Sequence, residues 1–352
     1  MLHMTPALFA RHSRSVAPLN HRYIWSRLEP FRRRIGRRVS TSASLQTMVE
    51  RVCPQCRDAL RVSDSEYVCV VCAESYARVE GIDRFLPASR VAHFEQFLND
   101  YTTVRLAEGR ASDDPAYFRG LPDTAPGAPL EWQWNMRRRS WQTVRSRIFR
   151  SASAPLVVVD VGAGVGWLSN RISELGHETL AVDLTIDAHD GLGAARHFER
   201  SFSCSQAEMD SLPFADSSAD IVIYNASLHY SCDYAITFAE ALRVLKPTGR
   251  IVVMDSPIYK QHSAGERMIA ERHADFEQRF GSRSDSVPSV GYLTPAMLRE
   301  LSMQIGLRWR RHHTWYGWQW AWKPWRARLR GKRQPSRFVV LVATRVSPSS
   351  SP

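Results

Sequence analysis

The chain has 352 residues, 44% of them hydrophobic, and a formal net charge of +12, enough for one large α/β domain plus a small module. Residues 1–50 carry nine Arg against Glu29 and Glu50, and residues 308–333 carry nine Lys or Arg and no acid, so the remainder is mildly acidic; this argues against a broad nucleic-acid-binding face on the central domain. Six cysteines are too few for a secreted disulfide scaffold, and no apolar run reaches the roughly 18–20 residues of a membrane span, so a cytoplasmic protein is expected, associated with a membrane at most peripherally.

Residues 1–47 are rich in Arg, Ser and His, with Glu29 their single acid. They show no packing pattern, and a disordered basic extension is expected. It reads as a transit-like presequence, as a surface-binding tail, or as sequence upstream of a protein that starts at Met48. Residues 48–88 form a module. Cys53-Pro54-Gln55-Cys56 and Cys69-Val70-Val71-Cys72 are C-x2-C turns twelve residues apart. Each puts two thiolates on one tight turn, and together they complete a tetrahedron suited to a structural Zn2+; two disulfides are the alternative. Leu60, Val62, Tyr67 and Val68 fit a β-hairpin carrying the second turn. With its tail Tyr76-Ala77-Arg78-Val79-Glu80-Gly81-Ile82-Asp83-Arg84-Phe85-Leu86-Pro87, the module resembles a Trm112-like zinc ribbon, with Asp83 where that pattern has proline.

Residues 89–150 read as a helical linker or cap, broken by a Pro-rich stretch from Leu121 to Leu130. From Glu131 to Arg150, Trp132, Trp134, Met136, Trp141, Val144, Ile148 and Phe149 mark an amphipathic helix. It either covers a ligand pocket or packs on the sheet. Arg137-Arg138-Arg139 reads as a solvated face.

Residues 151–346 begin with Val157-Val158-Val159-Asp160-Val161-Gly162-Ala163-Gly164-Val165-Gly166-Trp167-Leu168. A buried strand, a glycine turn and a helix through Ile172 and Leu175 open a doubly wound sheet, with glycines that let the backbone approach a ligand. Thr179 to Val182 is a second strand ending in Asp183, placed to accept from a ribose diol. A helix is expected from Ile186 to Phe198 and a third strand from Phe202 to Ala207. Glu208-Met209-Asp210-Ser211-Leu212-Pro213-Phe214 follows. Ile221 to Tyr224 is a fourth strand with Asn225 at its carboxyl end, so Asn225, Ser227, His229 and Tyr230 fall near a ligand. A helix over Ala235–Val244 leads to Lys246-Pro247-Thr248-Gly249-Arg250 and a fifth strand, Ile251 to Asp255. Pro257, Ile258 and Tyr259 would face substrate, residues 256–293 read as a lid or a plain surface helix, and Thr294-Pro295 starts a helix ending at Gly306. Leu307–Arg310 and Phe338–Ala343 would form a final antiparallel pair. Between them, Trp315, Trp318, Trp320, Trp322 and Trp325 interleave with Lys323, Arg326, Arg328, Arg330, Lys332 and Arg333. That mixture suits a membrane interface, a stacked nucleic acid, or ordinary packing.

The glycine turn, Asp183, the Met209–Phe214 segment and Ala241-Leu242-Arg243-Val244-Leu245-Lys246-Pro247-Thr248-Gly249-Arg250 resemble, in order, the motifs of class I S-adenosylmethionine (SAM) methyltransferases of the UbiE-like kind. The resemblance implies a Rossmann-like, seven-stranded α/β sheet. It implies SAM held by Asp160, Gly162, Ala163, Gly164, Gly166, Asp183, Leu184, Met209, Asp210 and Asn225, with Asp210 accepting from the adenine amino group. His229 is the first candidate base, with Tyr230 next and Tyr259 and His262 weaker. The expected acceptor is a small molecule or a lipid- or glycan-linked intermediate. The alternatives are an RNA base methyltransferase that uses the ribbon to bind RNA, and a non-catalytic scaffold. The run after the ribbon in zinc-ribbon ribosomal RNA methyltransferases is not matched by Val79–Leu86.

Overall fold

Alternating residues on either side of Ser63-Asp64-Ser65 set the first hairpin. A computed structural model describes residues 49–199 and 202–346, so the extension expected over residues 1–47 lies outside the described residues. The hairpin pairs β1 (Leu60–Val62) with β2 (Glu66–Cys69), Leu60 opposite Cys69. Next come β3 (Ser75–Val79) and β4 (Ile82–Arg84), joined by Glu80 and Gly81. Both turn residues have positive φ, 52° and 76°, as a two-residue type I′ turn requires.

Three helices follow. They are α1 (Ala88–Ala107), α2 (Pro115–Gly120) and α3 (Glu131–Val144), the last running into a π-helical turn at Arg145–Phe149. Asp114 caps α2 by accepting from the Ala116 N–H at 2.8 Å, with Pro115 in the first turn. The wound part then runs β5 (Val157–Val161), α4 (Trp167–Glu174), β6 (Glu178–Asp183), β7 (Ser203–Gln206), β8 (Ala219–Asn225), α5 (Tyr234–Val244) and β9 (Leu245–Met254). It closes with α6 (His262–Phe280), α7 (Pro295–Ile305), β10 (Leu307–His312), α8 (Trp318–Leu329) and β11 (Val340–Arg345). α7 starts and stops where its caps dictate: the Thr294 hydroxyl accepts from the Met297 N–H at 3.2 Å, and Gly306 takes the left-handed conformation.

The sheet runs β1-β2-β3-β4-β7-β6-β5-β8-β9-β11-β10. Its last seven strands are parallel except β11, which is antiparallel to both β9 and β10. Side chains alternate across it. Val158 packs with Trp134, Trp141 and Leu168 on one face, while Val159 and Val161 pack with Phe238 and Leu298 on the other. This two-sided burial is why β5 reads as an unbroken apolar run. The cysteine module extends the same sheet, because β4 pairs in parallel with β7, Ile82 opposite Cys204.

One expected element is absent. Between Ile186 and Phe198 the chain makes a turn and then a short 3-10 helix, Leu192–His197. The Asp187 carboxylate accepts from the His189 and Asp190 N–H groups, each at 2.8 Å. Those local bonds hold the turn in place of an α-helix.

Candidate active site

The glycine turn is built by two close approaches and one opening. Gly162 has φ +73°, and a Cβ there would lie 2.2 Å from Ser227 Cβ. Gly166 has φ +78°, and its Cβ would strike the Phe202 ring at 2.7 Å. Both therefore pack the turn against neighbouring strands. Gly164, at φ +56°, meets nothing within 4 Å on its Cβ side. Its N–H points to Asp183 Oδ2 at 2.7 Å, while Asp183 Oδ1 accepts from the Thr185 N–H at 2.8 Å. Each carboxylate oxygen keeps a second lone pair for a ligand hydroxyl.

Asp160 lies beneath the turn and is fully buried. Ser169 donates to its Oδ2 at 2.7 Å, and its Oδ1 has no partner among the described residues. Burial, resisted by the Ser169 hydrogen bond, pushes this carboxyl up to about 7.

A cavity of about 320 Å³ opens at the carboxyl ends of β5, β6 and β8. The glycine turn, Asp183 and Leu184 form one wall; Met209 and Asp210, after β7, form the next. Asn225, Ser227, His229 and Tyr230 follow β8 on the third side. Asn225 is buried and its Oδ1 has no partner among the described residues. His229 is held neutral: burial, then Arg272 and Arg137, pushes its imidazole down to about 3, and its Nδ1 has no partner. Tyr230 packs edge-on against Phe97 and Tyr101.

The roof is α1, which contributes Phe94, Phe97 and Tyr101. Two bidentate ion pairs fix its ends. Arg90 donates to Glu208 through Nε and Nη2, each at 2.6 Å, and Arg105 grips Asp190, with Nη2 at 2.7 Å. α3 supplies Trp134 and Arg137. Arg137 lies over the Trp134 ring at 4.7 Å and forms no ion pair among the described residues. Burial, then Arg110 and Arg105, lowers it to about 10, so it stays charged at neutral pH.

Of the residues singled out in the sequence, Gly162, Ala163, Gly164, Asp183, Leu184, Met209, Asp210, Asn225, His229 and Tyr230 line this cavity; Asp160 and Gly166 stand behind it. Three expectations need correction. Arg137 does not sit on a solvated face, because the turn of α3 that buries Trp134 carries it into the cavity. Pro257, Ile258, Tyr259 and His262 do not line the cavity: Ile258 bridges to Leu293 and Arg337, and His262 packs on Tyr292. Of segment 256–293 only Val287 reaches the wall, and α1 covers the cavity instead. The spacing of Phe94, Phe97 and Tyr101 at i, i+3 and i+7 was the available signal for that role.

The cysteines meet at the far edge of the sheet. The Sγ atoms of Cys53, Cys56, Cys69 and Cys72 all lie within 4.8 Å of one another. The Cys53–Cys72, Cys56–Cys69 and Cys56–Cys72 separations are 3.6, 3.3 and 3.7 Å. Disulfide sulfurs would be near 2.05 Å, whereas a tetrahedron with 2.3 Å metal–sulfur bonds has edges of about 3.8 Å. The Val71 and Cys72 N–H groups point at Cys69 Sγ, at 3.5 and 3.4 Å. The donor set fits a four-thiolate metal site.

Residues 159–253 match the family described as "Methyltransferase domain". The match runs from within β5 to within β9 and so takes in the glycine turn, Asp183 and Asn225. Among curated relatives, this chain is 31% identical over 126 residues to a malonyl-acyl-carrier-protein O-methyltransferase of Hahella chejuensis, covering 34% of this chain and 45% of that one. It is 33% identical over 122 residues to a protein of the same name, numbered 1, from Coxiella burnetii, covering 35% and 38%. The matched region thus spans less than half the length of these relatives. Among solved structures, the 1,6-didemethyltoxoflavin-N1-methyltransferase of Burkholderia thailandensis aligns at 15% identity and TM-score 0.45, over 79% of this chain and 98% of that one. No helix among the described residues is long and apolar enough to cross a membrane.

Proposed function

We propose that the protein transfers a methyl group from SAM to an anionic acceptor, small or carried on a lipid or glycan, bound beneath α1. The observation that carries this is the open face of Gly164 beside Asp183, inside a cavity at the carboxyl ends of β5 and β6. SAM bound there supplies an electrophilic methyl. Asp183 would hold the ribose hydroxyls, Met209 and Asp210 would flank the adenine, and Asn225 would offer its free Oδ1.

The acceptor's charge is supported by two features. Arg137 is a cation in the wall that forms no ion pair among the described residues, with Asp255 acting on it only at longer range, and beside it Arg110 keeps a buried Nη1 with no hydrogen-bond partner among the described residues. His229 is a neutral imidazole at neutral pH and, at about 3, is a weak base. A nucleophile that is already ionised needs no base. A carboxylate meets both conditions, as does the malonyl acceptor in the names of the Hahella and Coxiella relatives. We also assign a structural Zn2+ to Cys53, Cys56, Cys69 and Cys72.

Incubation with methyl-labelled SAM and a cell extract, followed by separation of RNA, protein, lipid and soluble fractions, tests the reading. Label is expected in an acidic small molecule or lipid, in a form released by mild base if a carboxylate was methylated; label in RNA overturns it. Asp183→Ala should abolish SAM binding by calorimetry in a folded protein.

A further inference from the structure

α8 carries an apolar face that the fold does not cover. None of its residues is buried. Trp318, Trp322, Trp325 and Leu329 are 73, 60, 65 and 82% exposed. They stand at i, i+4, i+7 and i+11, so at about 100° per residue they form one stripe. The opposite side is the anchored one. Trp320 lies edge-on to Phe338 at 5.7 Å, with Lys323 over its ring at 3.9 Å. Arg326 and Arg328 fall on either flank of the stripe, and Arg330 and Lys332 follow it. None of these four forms an ion pair among the described residues. The approach to α8 is latched to α3: Arg139 Nη1 donates to the Trp315 carbonyl at 3.0 Å, the Ser140 and Tyr316 hydroxyls meet at 2.8 Å, and those of Thr143 and Thr314 at 2.9 Å. The exposed indoles therefore project from a docked helix.

We propose that α8 lies in the interfacial plane of an anionic membrane, with Trp318, Trp322, Trp325 and Leu329 in the acyl boundary and Arg326, Arg328, Arg330 and Lys332 among the headgroups. Charge complementarity selects the occupant, since residues 308–333 hold nine cations and no acid. Geometry selects a lipid surface over a nucleic acid. Stacked bases need rings lining a cationic groove; here the rings stand out from a convex helix and the cations rim them, as in helices that lie on bilayers. Indoles also favour the headgroup level.

The test is co-sedimentation of the full chain with vesicles of phosphatidylcholine and phosphatidylglycerol in equal parts, against phosphatidylcholine alone. Binding is expected to the anionic vesicles, with a blue shift of tryptophan emission. Joint Trp318→Ser, Trp322→Ser and Trp325→Ser should weaken it by more than about tenfold, since each indole contributes its own buried apolar area. The charges of residues 1–50 are identical in both chains, so that difference belongs to α8. A second variant, Arg326→Glu with Arg328→Glu, should lose the preference for anionic vesicles. SAM affinity unchanged in both variants shows that they are folded, and vesicle binding is read without methyl transfer. Anionic vesicles bound equally by wild type and the triple variant, or not bound by wild type, overturn the proposal. Binding of single-stranded RNA in place of vesicles, lost with the same substitutions, overturns it in favour of a nucleic acid.

Discussion

Gly162 and Gly164 sit two residues apart and do different work. A methyl at Gly162 must displace the Ser227 side chain, which is held by a hydrogen bond to the Val161 carbonyl. A methyl at Gly164 meets only open space, at a cost of about 1–2 kcal/mol for the left-handed conformation. Gly164→Ala should therefore fold and lose SAM affinity, whereas Gly162→Ala should lower the melting temperature further; calorimetry paired with thermal unfolding separates them. Asp160 makes a pH prediction. Its folded value of about 7 stands above the ordinary 3.8. Between those values the unfolded chain ionises while the folded one keeps its proton. This group's contribution to stability is thus full below 3.8 and falls away as pH rises to about 7. Asp160→Asn should flatten that part of the stability profile, measured as denaturation midpoint against pH. His229, at about 3, should add no inflection to kcat/KM between pH 5 and 8. A histidine inflection there would restore it as a base.

At the scale of elements, α1 has the character of a lid. It has 20 residues, and only Phe94 and Val104 are buried. An element with so little buried surface opens at low free energy. Its ends are held by Arg90–Glu208 and Arg105–Asp190. Arg90 is 40% exposed, so Arg90→Ala should cost global stability no more than about 1 kcal/mol. It should nonetheless speed amide exchange in α1 relative to β5 and raise KM; equal exchange in both chains would show the pair to be ornamental. These contacts also mark the limit of what could be read beforehand. Strands and caps were legible because they are local: the β5 run, the Thr294-Pro295 start, the hairpin around Ser63. A helical cap over 89–150 was expected, but the anchoring of its roof was not legible, since Arg90 and Glu208 are joined only by the fold. Arg137 was misread for the same reason, because its neighbours on α3 predict exposure while the cavity supplies its surroundings. The Ile186–Phe198 helix failed on side-chain bonds of Asp187 that periodicity does not register.

The eleven described strands form one continuous sheet, and this changes what the cysteine cluster does. β4 pairs with β7, so the cysteine hairpins are the sheet's edge strands. The first cysteine turn also grips the segment after β7. Val52 N–H donates to the Pro213 carbonyl at 3.2 Å, the Ser211 hydroxyl donates to the Pro54 carbonyl at 2.7 Å, and Arg51 lies over the Phe214 ring at 4.9 Å. Ser211–Phe214 continues directly from Met209 and Asp210 in the cavity wall. A metal on the four thiolates would hold this edge closed, and its binding free energy would add to folding free energy. Chelation, or Cys69→Ser, should therefore lower the melting temperature of the single unfolding transition and weaken SAM binding, although the cluster touches no part of the cavity. Were the cysteine module an independent bead, chelation would split the transition in two and leave SAM affinity as it was. Calorimetric unfolding with and without a chelator, followed by SAM titration at a temperature where both forms are folded, distinguishes the two outcomes. Restoring affinity by adding Zn2+ back excludes irreversible damage.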